Sequence, residues 1–392
     1  MSEICFCGEN LLDFRSVLCY LNSRQRRSYM ENEAIANLIE QFKALSPAER
    51  ENFLNYIATR MQPSDEKFII DARFGSGLVC PHCGASGKGV SKKGKTPGGK
   101  QRFICQHCHK TFVATTNSVM YNSKLEFSVW KQYLQSFLNG KLLYQAAEEC
   151  GISKLTAWRW RHKICDSLRV IMDEIHMSGI VEADETYFRL SFTGNHTKST
   201  FVMPRKARKR GKGLHEKRKR GLSAEQICVP CVVNRSGQSV ARIAGVGNGS
   251  YEGISAVIGE HISADSTICA DKAASYKRIA SEIGCELVKL SAAQSKGMFS
   301  IQRINAYHRR MKLFVEHFYG ISSKHLNNYL AWYNFAWYAK ETFTEKVRII
   351  TQHICSVPCY TRVREISKRP AIPYINDKVR RSPYELEATV AA

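Results

Sequence analysis

Two Cys-x-x-Cys pairs constrain this chain more than anything else in it. Cys80-Pro81-His82-Cys83 is followed, after 21 intervening residues, by Cys105-Gln106-His107-Cys108. The stretch between them is rich in Gly and Lys and lacks a long apolar run, so it cannot build a hydrophobic core large enough to hold itself together. Four thiolates at this spacing supply a tetrahedral zinc, with each knuckle at the tip of a hairpin, as in a zinc ribbon. Arg102-Phe103-Ile104 and Thr111-Phe112-Val113 are the expected flanking strands. Four sulfurs fill the shell, so the zinc is structural, and His82, His107 and His109 are bystanders. The chain has 15 cysteines, an odd number. Its N-terminus offers neither the basic nor the apolar stretch of a signal peptide, so a reducing compartment with bound metal is expected rather than a disulfide scaffold. Cys19, Cys150, Cys165, Cys269 and Cys285 read as small buried side chains.

Charge is the next constraint. Lys and Arg number 58 against 35 acids, a net of +23. An excess this large points to a polyanionic partner, with nucleic acid ahead of an anionic membrane. No run of 18 apolar residues occurs, which excludes a spanning helix, and the basic residues sit in loops rather than along one amphipathic helix. Lys88, Lys92, Lys93, Lys95, Lys100 and Arg102 crowd the ribbon loop. Arg205, Lys206, Arg208, Lys209 and Arg210 begin the densest charge in the chain. Such a run fits the DNA backbone, its competing reading being a solvated loop.

The fold class expected is multidomain α+β: a helical N-terminus, a zinc ribbon, a helix-turn-helix and an α/β core. The boundaries follow composition. Residues 1–75 form a helical segment, with Ser46 and Pro47 starting its second helix. The ribbon occupies 76–118 and the helix-turn-helix 119–172. A catalytic domain follows over 173–340 with a basic insertion at 198–224, and a basic tail runs over 341–392. In the helix-turn-helix, Leu142 to Cys150 is one helix with Gly151 at its end. Ser153 caps a second helix from Lys154 to Lys163. Trp158 is expected in the core, with Arg159, Arg161 and Lys163 facing DNA, unless the pair is an ordinary helical hairpin.

From Gly179 the pattern reads as strand Gly179–Phe188, strands 227–233 and 239–244, and a helix over 251–262. Strand 267–270 ends at Asp271, and after another helix come strand 286–290 and a long helix over about 299–318. That order is the ribonuclease H-like topology. In it a carboxylate on the first strand, Asp184, and one after the fourth, Asp271, lie side by side. Two neighbouring carboxylates repel unless a divalent cation sits between them, and hard oxygens suit magnesium or manganese. The late helix offers Asn305 as a neutral amide oxygen. Lys312, two turns and about 10 Å further on, can neutralise a DNA phosphate. Glu182 and Glu185 are supporting groups or plain strand residues.

The motifs CPHC…CQHC, TFVATTNSVMYNSKLEFSVW, VEADETYF, CADKAASY, INAYHRRMK and GISSKHLNNYL together resemble bacterial insertion-sequence transposases with an N-terminal zinc ribbon, the group numbered fifteen ninety-five. The resemblance runs from about Val79 to Trp337. It implies a DDE-type transposase that binds the terminal inverted repeats of its own element and carries out metal-dependent cleavage and strand transfer. Asp184, Asp271 and Asn305 would hold two magnesium or manganese ions, with Lys312 beside them, as an Asp-Asp-Asn-Lys variant. It also implies double-stranded DNA as partner (element ends and target), a homodimer or larger synaptic assembly, and a place at the nucleoid in the bacterial cytoplasm. A catalytically inactive DNA-binding regulator and a ribonuclease H-like nuclease are the alternatives.

Overall fold

The structure is a computed structural model. It describes residues 33–53, 64–195, 226–271, 274–291, 296–359, 361 and 363–371. The chain divides into two compact units, Met1–Ser64 and Asp65–Ala392. In the first, α1 spans Glu33–Ala44 and a second helical stretch begins at Pro47. Ser46 starts it as expected. The Glu49 carboxylate accepts from the Ser46 amide at 2.9 Å while the Ser46 hydroxyl accepts from the Glu49 amide at 3.4 Å, a reciprocal cap. Phe42 and Phe53 then pack with ring centroids 5.7 Å apart.

The second unit opens with α2 (Asp65–Phe74) and a three-stranded antiparallel sheet, β1 (Val90–Lys95), β2 (Gln101–Cys105) and β3 (Thr111–Val113), in the order β1-β2-β3. Helix α2, assigned from composition to the N-terminal segment, instead closes the ribbon. Its Phe74 packs on Phe103 at 5.4 Å and Phe112 at 6.1 Å, and the latter two stack at 5.6 Å. Three aromatic rings supply the apolar area that so small a sheet lacks by itself. The following turn ties the ribbon to the rest. The Asn117 side-chain amide donates to the Pro81 carbonyl at 2.9 Å, and the Asn117 carbonyl accepts from the Cys359 amide at 2.9 Å.

Three helices come next: α3 (Phe127–Leu138), α4 (Leu143–Glu149) and α5 (Lys154–Asp173). Gly151 takes φ +61 between α4 and α5, a region that suits glycine, and the Ser153 hydroxyl caps the Thr156 amide at 3.1 Å. Helix α5 is twenty residues long and runs ten beyond the expected end at Lys163. The apolar spacing continues through Ile164, Cys165 and Leu168, all fully buried, so nothing stops it there. The core tryptophan is Trp160, stacked on Trp130 at 3.6 Å, whereas Trp158 is only half-buried.

Beyond α5 lies a mixed sheet in the order β6-β5-β4-β8-β9, with β7 also on β5. Its strands are β4 (Ile180–Arg189), β5 (Gln226–Asn234), β6 (Ser239–Ala241), β7 (Gly245–Val246), β8 (Thr267–Ala270) and β9 (Glu286–Lys289). Strand β4 pairs antiparallel with β5 and parallel with β8. The expected strand 239–244 stops at Ala241, because the Ile243 amide leaves the ladder to donate to Asn327 Oδ1 at 2.9 Å. Helices α6 (Tyr251–Ile258) and α7 (Ala274–Ile283) cover the face bearing Val181 and Ala183. The other face, with Val229, Cys231 and Cys269, packs under α5, α8 (Gln302–Glu316), α9 (Leu326–Tyr333) and α10 (Phe343–Ser356). Cys150 and Cys165 are buried as read, Cys285 is half-buried, and Cys19 lies outside the described residues.

The tail from 341 is structural as far as it is described. Helix α11 (Val363–Lys368) lies against α5, and Arg369 donates to both oxygens of Asp166 at 2.7 and 2.6 Å. Asp166 is fully buried and also accepts from Asn328 at 2.9 Å and Thr361 at 2.7 Å. Burial alone would raise its pKa, but the charges of Arg369 and Arg169 hold it below the ordinary carboxylate value. His162 and His325 pack beside this knot with ring centroids 4.2 Å apart.

One of the three residues expected to face DNA on α5, Arg161, is in the interior. Arg161 is 2% exposed, donates to the Lys141 carbonyl at 2.6 Å and lies over the Trp332 ring at 4.8 Å. Lys163 is half-buried and reaches the Tyr121 carbonyl at 3.5 Å. Arg159 is half-buried in a groove with Val363 and Arg364 of α11. Phe318 and Trp332 of α9's layer cover the Arg161 guanidinium and turn that position inward.

Arg161→Ala removes a buried stem and leaves the Lys141 carbonyl unpaired, so it is expected to cost about 3 kcal/mol of stability in denaturant titration. A loss under about 0.5 kcal/mol would contradict the packing. The histidines set an acid limit. Burial, then Arg369 and Lys324, lowers His325 to about 3, burial lowers His353 to about 4, and His162 is lowered in the same sense. The unfolded chain therefore binds protons that the folded chain refuses below about pH 6.5. Stability present above that value falls as pH drops toward 4, by up to about 1.4 kcal/mol per pH unit for each histidine. Thermal midpoints from pH 7 to 5 should decline, and His325→Phe should make that decline shallower.

Candidate active site and metal centre

The four ribbon cysteines converge. Each knuckle is a tight turn, with the Cys80 amide donating to the Ala85 carbonyl at 2.8 Å in the first and the Cys105 amide to the Lys110 carbonyl at 3.1 Å in the second. The Sγ atoms of Cys80, Cys83, Cys105 and Cys108 all lie within 4.8 Å of one another. Cys80 and Cys108 are 3.7 Å apart and Cys83 and Cys105 3.6 Å. Zinc–sulfur bonds of 2.3 Å in a tetrahedron imply sulfur–sulfur edges of about 3.8 Å, so the donor set fits zinc.

The carboxylates converge at the centre of the larger sheet. Ala183 of β4 pairs with Ala270 of β8 in parallel register, which sets Asp184 beside Asp271 on neighbouring strands about 4.8 Å apart. Burial raises Asp184 to about 6. The charge of Asp271 pushes the same way, against the pull of the Glu185 amide and Lys312. Such a pair of repelling oxygen donors fits a hard divalent cation.

Helix α8 lies along β4 on the Asp184 face. The Ile304 amide donates to Glu182 at 3.0 Å, and one turn later His308 Nδ1 is 3.7 Å from Asp184 Oδ2. Asn305 and Lys312 are on the same side of α8 at i and i+7 and are both exposed. Lys312 acts electrostatically on Asp184, while Asn305 is exposed on α8 and makes no described side-chain contact with either carboxylate.

One group escaped the sequence reading. His308 is a neutral side chain against Asp184. Burial lowers it to about 4, helped by the charge of Lys312. Its helical offset, three after Asn305 and four before Lys312, was the available signal. Glu185 points to the opposite face near Tyr276, and burial followed by the charges of Asp184 and Asp271 raises it to about 7. Arg205, Lys206, Arg208, Lys209 and Arg210 lie outside the described residues. No described helix is long and apolar enough to cross a membrane.

Comparison with known proteins bears on this pair of sites. Residues 63–111 match the transposase zinc-ribbon domain, and residues 176–337 match the ISXO2-like transposase domain. No curated protein matches the chain. Among solved structures, a chain of the crystal structure of a pre-cleavage Mos1 transpososome is matched at 9% identity, over 58% of this chain and 79% of that one. Its TM-score of 0.19 is too low to carry an argument about fold. The two matched domains take in the cysteine cluster and the paired carboxylates and together span more than half of the sequence. The chain belongs to the IS1595 family of insertion-sequence transposases.

Proposed function

We propose that this transposase binds the terminal inverted repeats of its own insertion sequence and catalyses divalent-metal-dependent cleavage and strand transfer of DNA. The observation that carries the reading is the placing of Asp184 beside Asp271 where the parallel pairing of β4 with β8 ends, with the Lys312 charge acting on Asp184. The sheet order β6-β5-β4-β8-β9 is the one expected of a ribonuclease H-like core and supports the same conclusion. Asp184 and Asp271 hold the metal, and Asn305 offers a neutral amide oxygen from α8. Bound magnesium or manganese supplies Lewis-acid activation of water or a 3′-hydroxyl and neutralises charge on the phosphodiester. Lys312 meets a phosphate oxygen next to the carboxylates. His308, neutral in its buried position, keeps Asp184 turned toward Asp271 without adding charge.

The ribbon of 76–118, closed by α2, and the helix-turn-helix formed by α4 and α5 in 119–172 recognise the element ends. The latter does so through exposed groups near its turn, such as Lys154, because Arg161 is interior. The basic insertion of 198–224 follows the DNA backbone. Joining two ends requires a dimer or larger synaptic assembly, working at the nucleoid.

The test is a labelled duplex carrying the inverted repeats that flank the gene, with magnesium or manganese. Wild type is expected to cut and join strands. Losing an outer partner of a metal ligand already costs 10- to 100-fold, so Asp184→Ala and Asp271→Ala should each lose more than about 100-fold. Binding without cleavage under either metal would favour the inactive regulator, and cleavage without joining the nuclease. Zinc is tested separately. The protein should hold about one equivalent of zinc in the four-thiolate site, and Cys105→Ser should release it and lower the thermal midpoint. Full stability without zinc would contradict a structural role.

A further inference from the structure

A cleft of about 500 Å³ opens beside α8, with Glu182 of β4 in its lining. Three guanidiniums from two elements line it. Arg303 and Arg310 are seven residues apart on α8, about 10 Å along its axis. Arg235 comes from the turn between β5 and β6, which is firmly set. The Asn234 carbonyl oxygen of the side chain accepts from the Gln238 amide at 2.9 Å and the Ser236 hydroxyl at 2.7 Å. Gly237 takes φ +97 against Lys340, where a Cβ would meet Cγ at 2.6 Å. Arg235 itself donates to the Met298 carbonyl.

These charges are not neutralised locally. Among the described residues, no carboxylate lies within 4.0 Å of the three guanidiniums. The acid in the lining, Glu182, is 3% exposed and already bonded to the Ile304 amide. Arg303 and Arg235 both act on Glu182, and Arg303 and Arg310 both act on the Tyr338 hydroxyl, so the three fields overlap in one space. Clustered guanidiniums without a protein counter-charge recognise oxyanions, and their planar forks match phosphate oxygens.

Position identifies the phosphate. Glu182 and Asp184 are two residues apart on one face of β4, about 6.6 Å along the strand. A DNA strand advances about 3.4 Å along the axis per nucleotide. We propose that this cleft is a phosphodiester subsite, in which Arg235, Arg303 and Arg310 grip the DNA strand one or two nucleotides from the phosphate held at Asp184 and Asp271. The subsite takes its ligand from the transposase reading, while its charge and shape stand apart from it.

The experiment measures binding of the full-length, zinc-loaded protein to a fluorescent duplex carrying the flanking repeat, without magnesium or manganese, from 50 to 200 mM salt. A duplex of unrelated sequence is run in parallel. Arg303→Gln with Arg310→Gln should weaken binding about tenfold at low salt and lower the log–log salt slope by about one on both duplexes. Arg303→Lys with Arg310→Lys should keep the slope. An uncharged methylphosphonate one or two nucleotides from the cleaved phosphate should weaken wild type and leave the glutamine variant unaffected. An unchanged slope in the glutamine variant, or an equal fall in the lysine variant, overturns the subsite. Because no step of this assay is chemical, a protein that shows the slope change but never cuts DNA refutes the catalytic reading alone. A protein that cuts with the slope unchanged refutes the subsite alone.

Discussion

Strand β4 is the constraint on which the larger unit depends. It is paired along its length with β5 and, in the opposite sense over Ile180–Ala183, with β8, and its two faces feed separate cores. A strand with neighbours on both edges and packing on both faces cannot slip by one residue without exchanging its two cores. That rigidity is what the carboxylates require. Asp184 and Asp271 repel each other, and only a register fixed from four sides holds them together before any cation arrives.

Helix α5 carries the second dependence. It is a packing spine, with Trp160 against α3, Arg161 against α9 and Asp166 gripping Arg369 from the end of the described chain. A buried carboxylate is costly unless fully paired. Asp166 meets that requirement with Arg369, Thr361 and Asn328, and so draws the C-terminal segment onto the helical layer. The ribbon is joined to the same layer through Asn117, which touches the first knuckle and the segment after α10. The cysteine cluster and the paired carboxylates thus share one scaffold.

Some of this was legible in the residues. The cysteine spacing implied a closed tetrahedral site, because four thiolates at two knuckles have few other uses, and the sulfurs do converge. The alternation in Val181–Asp184 and the Asp271 that ends a short apolar run implied paired carboxylates, because strand period is local and the order of elements along the chain matched the ribonuclease H-like topology. Ser46, Gly151 and Ser153 marked helix ends for equally local reasons. The sign and size of the net charge pointed to a polyanion before any element was placed.

Other features were decided only by tertiary packing. Arg161 carries a full charge, and no pattern in one sequence says that Phe318 and Trp332 will cover it. Trp160 rather than Trp158 enters the core because α3 presents Trp130 to that side. The tail offered no motif, since its anchors, the buried Ile350 and Ile354 and the hold of Arg369 and Thr361 on Asp166, all meet residues far away in sequence. His308 and the arginine cleft were hidden likewise, for their partners lie on β4 and in the turn after β5. The sequence by itself determined the local chemistry, four thiolates on two knuckles, an acid within one strand and an acid after another, because residue type and short-range spacing set which donors each element offers. The fold decided which charges face water and which are buried, because that depends on residues far apart in sequence meeting across helices and strands.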